Sequence, residues 1–302
     1  MLAIHNIYST IYHASVVSLY RLGVPDERII LMLADCATCD PRLFSPGKLW
    51  FRPGMVLNDP DNEEETVIDY RDMEVSADSV LRVLTGNVPR GMSGSQVLGS
   101  GPNSNVLVFL TGHGGDRFLK FHDQSELMAA DLGSAIEYMH RMKRFKDLLV
   151  ILDTCQASTM YEDTGDAARW IGAASSKRDQ SSYALNSDGT VGAYLVDEFT
   201  HHLVQYLDEV VRSNPSADPT FEQMLQYVSR KEMSSQVQSE DSKHPEGVRG
   251  VRVSGFFANR DSKAEYSVVD RDAVMHERVD GDDADNRHRQ TMSNRELWLQ
   301  AS

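Results

Sequence analysis

Three short, unbroken apolar runs constrain this chain more than any other feature: Ile29-Ile30-Leu31-Met32-Leu33, Val106-Leu107-Val108-Phe109-Leu110 and Leu148-Leu149-Val150-Ile151-Leu152. A strand with one face in water alternates apolar and polar side chains, whereas a strand covered on both faces does not. The runs therefore read as parallel strands in the middle of a sheet. Between the second and third, Leu127, Leu132, Ile136, Met139 and Phe145 recur at roughly helical spacing, which predicts a crossover helix within Leu127 to Lys146 and hence a βαβ unit. Helical patterns over Ile11 to Leu22, stopped by Gly23 and Pro25, and again after residue 192 (Tyr194, Leu195, Phe199, Leu203, Tyr206, Leu207) continue the alternation. The predicted class is α/β, with a mostly parallel central sheet flanked by helices on both faces.

The remaining segments divide by composition. Leu43 to Asn62 and Asn87 to Asn105 carry the Pro, Gly and Ser of surface loops; Phe221 to Ser229 predicts a helix, and Gly250 to Ala258 a last strand segment. Residues 1–258 read as one domain. Residues 259–302 are charged and sparsely apolar, with an acidic run at Asp280, Asp282, Asp283 and Asp285, and read as a solvated, partly disordered tail. Forty-five acidic against thirty basic side chains give a net charge of −15, which opposes a broad grip on nucleic acid or an anionic membrane face. No run of 18 apolar residues offers a membrane span, and the first thirteen residues lack the basic and apolar regions of a secretory signal.

Two of the apolar strands end in polar punctuation, Thr111-Gly112-His113-Gly114-Gly115 and Asp153-Thr154-Cys155-Gln156-Ala157. Sites in open α/β sheets are built at the carboxyl ends of strands. A thiol is mostly protonated at neutral pH, so a neighbouring imidazole that takes its proton and later returns one to a leaving amine makes a nucleophile of it. Glycines beside the histidine let a backbone N–H approach a reacting carbonyl, as an oxyanion hole requires. Separately, a lone buried cysteine is most often a small hydrophobe and a Gly-rich turn only a turn. Together they match a QAC-type cysteine with its histidine about 50 residues upstream. The GHGG segment lacks the lysine and spacing of a phosphate-binding P-loop. Cys36 and Cys39 form a CxxC pair, a redox couple or half a zinc site, but no second ligand pair follows at zinc spacing. No ligand cluster calls for calcium, and no cofactor is expected.

The stretches RLGVPDERIILMLAD, VIDYRDMEV with LRVLTGNVP, VLVFLTGHGGDRFLKFHD, LLVILDTCQASTMYE and FFANR carry a resemblance that runs from about Arg21 to Ala258. The chain resembles the catalytic subunits of glycosylphosphatidylinositol (GPI) transamidases, within the legumain-like cysteine peptidases of caspase-like fold. The resemblance implies Cys155 as nucleophile, His113 as general acid/base, and the N–H groups of Gly114 and Cys155 as the oxyanion hole. It implies cleavage of a proprotein's C-terminal signal peptide through a thioester, then transfer to the ethanolamine amine of a GPI lipid. SSYALNSDGTVGAYLVD resembles the segment that walls the primary pocket, which puts Ser175, Ser176 and Asp188 near the substrate; Asp188 in NSDG equally suits a turn. Cys39 falls where the family carries a cysteine able to form a disulfide with a partner subunit, and Cys36, in place of the family's acidic residue, leaves a Cys36–Cys39 bridge open. The implied setting is the lumen of the endoplasmic reticulum, held to the membrane through other subunits of the complex.

At its start the chain departs from the family, whose members have a signal peptide, a first strand and an Asn-bearing loop before the first helix. Asn6 in IHNIYS lies near the expected distance for the asparagine that orients the histidine. The interior strand itself reads as missing, a loss of apolar contact at ~25 cal/mol per Å². Two further readings follow: a legumain-like endopeptidase that hydrolyses Asn- or Asp-linked bonds, and a catalytically inert subunit. Other histidines (His122, His140, His201, His202, His244, His276, His288) show no ligand spacing.

Overall fold

The computed structural model describes residues 2–5, 22–34, 49–52, 55–58, 68–122, 124–188, 193–214 and 216–257; for 2–5, 49–52, 55–58, 186–188 and 193–195 it describes the backbone alone. All of these fall in one unit, Met1–Glu265. In chain order the strands and helices are β1 (Leu2–His5), β2 (Ile30–Leu33), β3 (Leu49–Arg52), β4 (Met55–Asn58), β5 (Tyr70–Arg71), α1 (Ala77–Thr85), β6 (Asn105–Thr111), β7 (Gly114–Gly115), β8 (Phe118–Phe121), β9 (Ser125–Met128), α2 (Ala129–Arg141), β10 (Asp147–Asp153), β11 (Trp170–Ala174), β12 (Ala184–Asp188), β13 (Ala193–Asp197), α3 (Glu198–Tyr206), α4 (Phe221–Ser229), β14 (Gln238–Glu240), α5 (Gly247–Gly250) and α6 (Ser254–Phe257). A π-helical segment, Leu207–Arg212, continues α3.

Seven strands form the central sheet in the order β14-β11-β10-β6-β1-β2-β5. Every pairing is parallel except that of β11 with β14. The three apolar runs are β2, β6 and β10, and burial on both faces explains their composition. Val106, Val108, Leu110, Leu148, Val150 and Leu152 join one buried cluster, with Val80, Val83, Leu132, Ile136 and Met139 of α1 and α2. Leu107, Phe109, Leu149 and Ile151 face the other way into a second cluster, with Phe199 and Leu203 of α3 and Phe221, Met224 and Val228 of α4. Helix α1 is entered through a capping box, in which the Ser76 hydroxyl accepts from Ser79 N–H, and is closed by Gly86 at φ 73°.

Five sequence expectations need correction. The interior strand is present: β1 lies between β6 and β2, with Leu2 to His5 in parallel register against Val108 to Thr111 and against Ile30 to Leu33. Four residues with no apolar run beyond them are too short a signal to read as a central strand. Leu43 to Asn62 is not wholly irregular, because β3 and β4 form an antiparallel hairpin within it. The crossover helix starts at Ala129, since Ser125–Met128 pairs as β9. After residue 192 the chain first runs as β13, and the helix begins only at Glu198. Gly250 to Ala258 is no sheet strand: α6 occupies its end, while Phe221 N–H donates to Val251 O and Val253 N–H to Pro219 O. The valines there are buried against the entry to α4, so their alternation reports a local packing contact and not a place in the sheet. The helix expected over Ile11 to Leu22 lies outside the described residues apart from Leu22, which is in a turn, and the tail 259–302 lies outside them entirely.

Candidate active site

Strands β6 and β10 are neighbours, and their register pairs Thr111 with Asp153 at the carboxyl ends. His113 and Cys155 each follow by two residues, so the topology brings to one edge two side chains that are 42 residues apart. Gly112, at φ 144°, turns the chain there, and its N–H donates to Asp153 O at 3.3 Å. His113 is exposed and Cys155 half-buried. The thiol is free, and its Sγ lies 3.9 Å from Ser182 O.

Beside His113, β7 folds back on β8. A Cβ on Gly114 would collide with the Thr154 hydroxyl and stand 2.8 Å from Phe118 O; one on Gly115 would stand 2.6 Å from the Phe118 ring. At 114 only glycine fits, because backbone stands in the way, and the bare backbone of residue 114 packs on the residue just before Cys155. The Thr154 hydroxyl is buried and has no hydrogen-bond partner among the described residues.

The turn after Cys155 is strained and held from outside. Gln156 adopts φ 54°, a region that costs a side chain of order 1–3 kcal/mol. Its N–H donates to Gln180 O at 2.8 Å, its carbonyl accepts from the Thr159 hydroxyl at 2.8 Å, and its side-chain amide oxygen accepts from Asp179 N–H at 3.1 Å. A 3-10 turn, Ala157–Tyr161, then carries the chain away.

Ser175 and Ser176 follow β11, fully buried. The Ser176 hydroxyl donates to Thr154 O at 2.7 Å and accepts from Ala157 N–H at 3.0 Å; the Ser175 hydroxyl accepts from Thr154 N–H at 3.2 Å. The Ser176 hydroxyl thus bridges the backbone on either side of Cys155, and the Ser175 hydroxyl holds the residue before it. Asp188 ends β12, where its backbone pairs with Ala193; its side chain is not described. Asn6, Cys36 and Cys39 lie outside the described residues.

Sequence reading passed over the carboxylates beneath the site. Asp153, fully buried, accepts from the Thr200 hydroxyl at 2.6 Å, from Thr200 N–H at 3.2 Å and from the Ser182 hydroxyl at 2.8 Å. Burial raises its pKa, and those hydrogen bonds to the carboxylate hold the rise back. Asp197, at the end of β13, accepts from the Thr111 hydroxyl at 3.4 Å; burial first, and then the neighbouring charge of Asp153, push its pKa well above the ordinary carboxyl range. A carboxylate ending a wholly apolar strand is a visible signal for Asp153. Nothing local in the sequence ties Asp197 to it.

Among the described residues no group of three His, Cys, Asp or Glu side chains is set to hold a metal, and no helix is long and apolar enough to cross a membrane. A thiol and an imidazole at adjacent carboxyl ends of a parallel sheet, beside backbone N–H groups kept bare by glycine, make up the arrangement that a cysteine-peptidase-like enzyme needs. The Peptidase C13 family profile matches residues 6–247, and the chain belongs to that family. It is 38% identical over 255 residues to the putative GPI-anchor transamidase of Caenorhabditis elegans, covering 82% of this chain and 75% of that one. To the GPI-anchor transamidase of Homo sapiens it is 34% identical over 242 residues, covering 80% of this chain and 60% of that one. For the GPI-anchor transamidase of Saccharomyces cerevisiae the identity is 32% over 256 residues, covering 82% and 59%. The chain therefore spans about three fifths of the human and yeast relatives. Caspase-1 from Spodoptera frugiperda superposes with a TM-score of 0.49 at 11% identity, covering 87% of this chain and 91% of that structure.

Proposed function

We propose that this chain is a cysteine-dependent GPI-anchor transamidase. The observation that carries the reading is the β6–β10 register, which ends two adjacent strands in His113 and Cys155; the transamidase names of its relatives support the substrate class. Cys155 gives its proton to His113, and the thiolate attacks the carbonyl at the attachment site of a proprotein. The N–H groups of Gly114 and Cys155 receive the oxyanion. As the C–N bond breaks, the imidazolium of His113 protonates the leaving amine, the C-terminal signal peptide departs and a thioester remains. The ethanolamine amine of a GPI lipid then attacks the thioester and passes its proton to His113; the thiolate leaves and an amide is formed. Water in place of the amine gives hydrolysis.

Asn6 is proposed to orient His113, and Ser175, Ser176 and Asp188 to shape the pocket for the attachment-site residue. The buried hydroxyls of the two serines support an indirect part, through the backbone around Cys155. Cys39 is proposed to pair with another subunit of a transamidase complex in the lumen of the endoplasmic reticulum. The filled β1 position removes the missing-strand ground for an inert subunit.

The test is rescue of GPI anchoring on a reporter in cells depleted of their own catalytic subunit, by this chain and by Cys155→Ala. Rescue by the first alone is expected; equal behaviour of the two would sink the reading. Hydrazine supplied as acceptor distinguishes transfer from proteolysis by partition, because a transamidase yields mainly peptidyl hydrazide and an endopeptidase mainly free acid at the same hydrazine concentration.

A further inference from the structure

Three loops meet at the site, and each contains a non-glycine residue in the left-handed region: Arg117 (φ 66°) after His113, Gln156 (φ 54°) after Cys155, and Asp179 (φ 62°) before Ser182. None of the three loops makes its shape alone. Arg117 N–H donates to the Thr159 hydroxyl at 2.7 Å, Gln156 N–H to Gln180 O, and Asp179 N–H to the Gln156 side chain. One side chain joins all three by charge. Arg178 donates through Nη1 to Asp116 at 2.5 Å and through Nη2 to both carboxylate oxygens of Glu162 at 2.6 and 2.7 Å. Asp116 lies three residues past His113, Glu162 closes the turn that follows Cys155, and Arg178 sits on the loop whose Ser182 carbonyl faces the thiol. A second ion pair, Arg117 with Asp163, links the first two loops again.

These ion pairs are open to water, the Arg178, Asp116 and Glu162 side chains being 44%, 52% and 44% exposed. Exposed pairs add little to global stability. They still select one arrangement of loops whose backbones are otherwise strained, and a planar guanidinium with one nitrogen on each of two carboxylates fixes direction as well as distance. We propose that Arg178 is a positioning residue for the reaction, a clamp that holds the His113, Cys155 and Ser182 loops in one relative arrangement. The inference rests on the transamidase reading of Cys155 and His113.

The test compares the full chain in its complex, in microsomes, as wild type, Cys155→Ala, Arg178→Gln, Arg178→Lys and the charge exchange Arg178→Glu with Glu162→Arg. Hydrazide formation on a reporter proprotein is the readout. A displacement of 1 Å costs on the order of a hundredfold, so a loosened clamp is expected to lower the maximal rate of Arg178→Gln about tenfold. The half-saturating hydrazine concentration and the melting temperature stay put, and Arg178→Lys recovers part of the rate because it keeps the charge and loses the planar guanidinium. The charge exchange recovers only part of it, because it restores the pair between positions 162 and 178 but sets a carboxylate against Asp116, and high salt slows the wild type more than Arg178→Gln. A wild-type rate in Arg178→Gln, a loss that neither Arg178→Lys nor the exchange restores even in part, or a parallel fall in melting temperature overturns the clamp. If the wild type itself yields no hydrazide that depends on Cys155, the transamidase reading fails. The clamp is then read from the rate at which iodoacetamide alkylates Cys155, followed by peptide mass spectrometry: an altered rate in Arg178→Gln supports it, and an equal rate overturns it.

Discussion

At the scale of single residues, the site depends on an atom that is absent. A methyl group at residue 114 meets the Thr154 hydroxyl and Phe118 O at once, neither of which is the free end of a flexible chain. Gly114→Ala is therefore expected to cost about 1–3 kcal/mol in urea denaturation and to lose hydrazide formation, since the backbone proposed to bind the oxyanion must move. Asp197 makes a prediction with a sign. Its pKa is raised in the folded protein by burial and by Asp153, so the folded state holds a proton that the unfolded chain releases above about pH 4. The neutral carboxyl thus favours the fold in acid, and that contribution is lost as pH rises towards the folded pKa. Asp197→Asn stays neutral and keeps an oxygen for the Thr111 hydroxyl. Its melting temperature is expected to exceed that of the wild type at pH 8 and to converge with it below about pH 4; a gap that widens in acid would contradict this account of Asp197.

Elements carry the site by where they end. β6 and β10 deliver His113 and Cys155, while β13 delivers Asp197 and α3 delivers Thr200 to a carboxylate at the end of β10. Thr200→Val keeps the shape of α3 and removes the 2.6 Å donor to Asp153. A loss of about 1–3 kcal/mol is expected, measured as a shift in the urea midpoint at constant slope. By comparison Ser76→Ala, which removes only the cap of α1 far along the chain, is expected to cost about 1 kcal/mol and leave acyl transfer alone. Elements were legible where one signal dominated. Phe221–Ser229 appears as expected, with Thr220 accepting from Gln223 N–H at its start. Legibility failed where two periods fit the same letters: Tyr194 and Leu195 satisfy a helical spacing, yet they belong to a strand because β12 lies beside them. Likewise Val251 and Val253 alternate as a strand would, but their backbone partners are Pro219 and Phe221 and not the sheet.

On the scale of the whole molecule, one sheet divides two apolar clusters, and one of the largest buried side chains sits on a central strand in the second of them. Phe109, 2% exposed, belongs to the cluster that packs α3 and α4. Phe109→Ala is expected to cost about 3–5 kcal/mol, enough to show as a large fall in the midpoint of thermal or urea unfolding. By itself the sequence determined that β2, β6 and β10 are covered on both faces, that a helix crosses between β6 and β10, and that a histidine and a cysteine stand just beyond two strand ends. Those are local facts: burial writes itself into the hydropathy of consecutive residues, and a chemical motif is a matter of neighbours in the chain. Only the tertiary structure decided that Leu2–His5 lies in the middle of the sheet, that Asp197 comes up against Asp153, and that Arg178 reaches Asp116 and Glu162. Each of these is a meeting of distant segments, set by strand order and by the paths of the crossovers, and a short strand or a single charged residue leaves no periodic trace of the partner it will find.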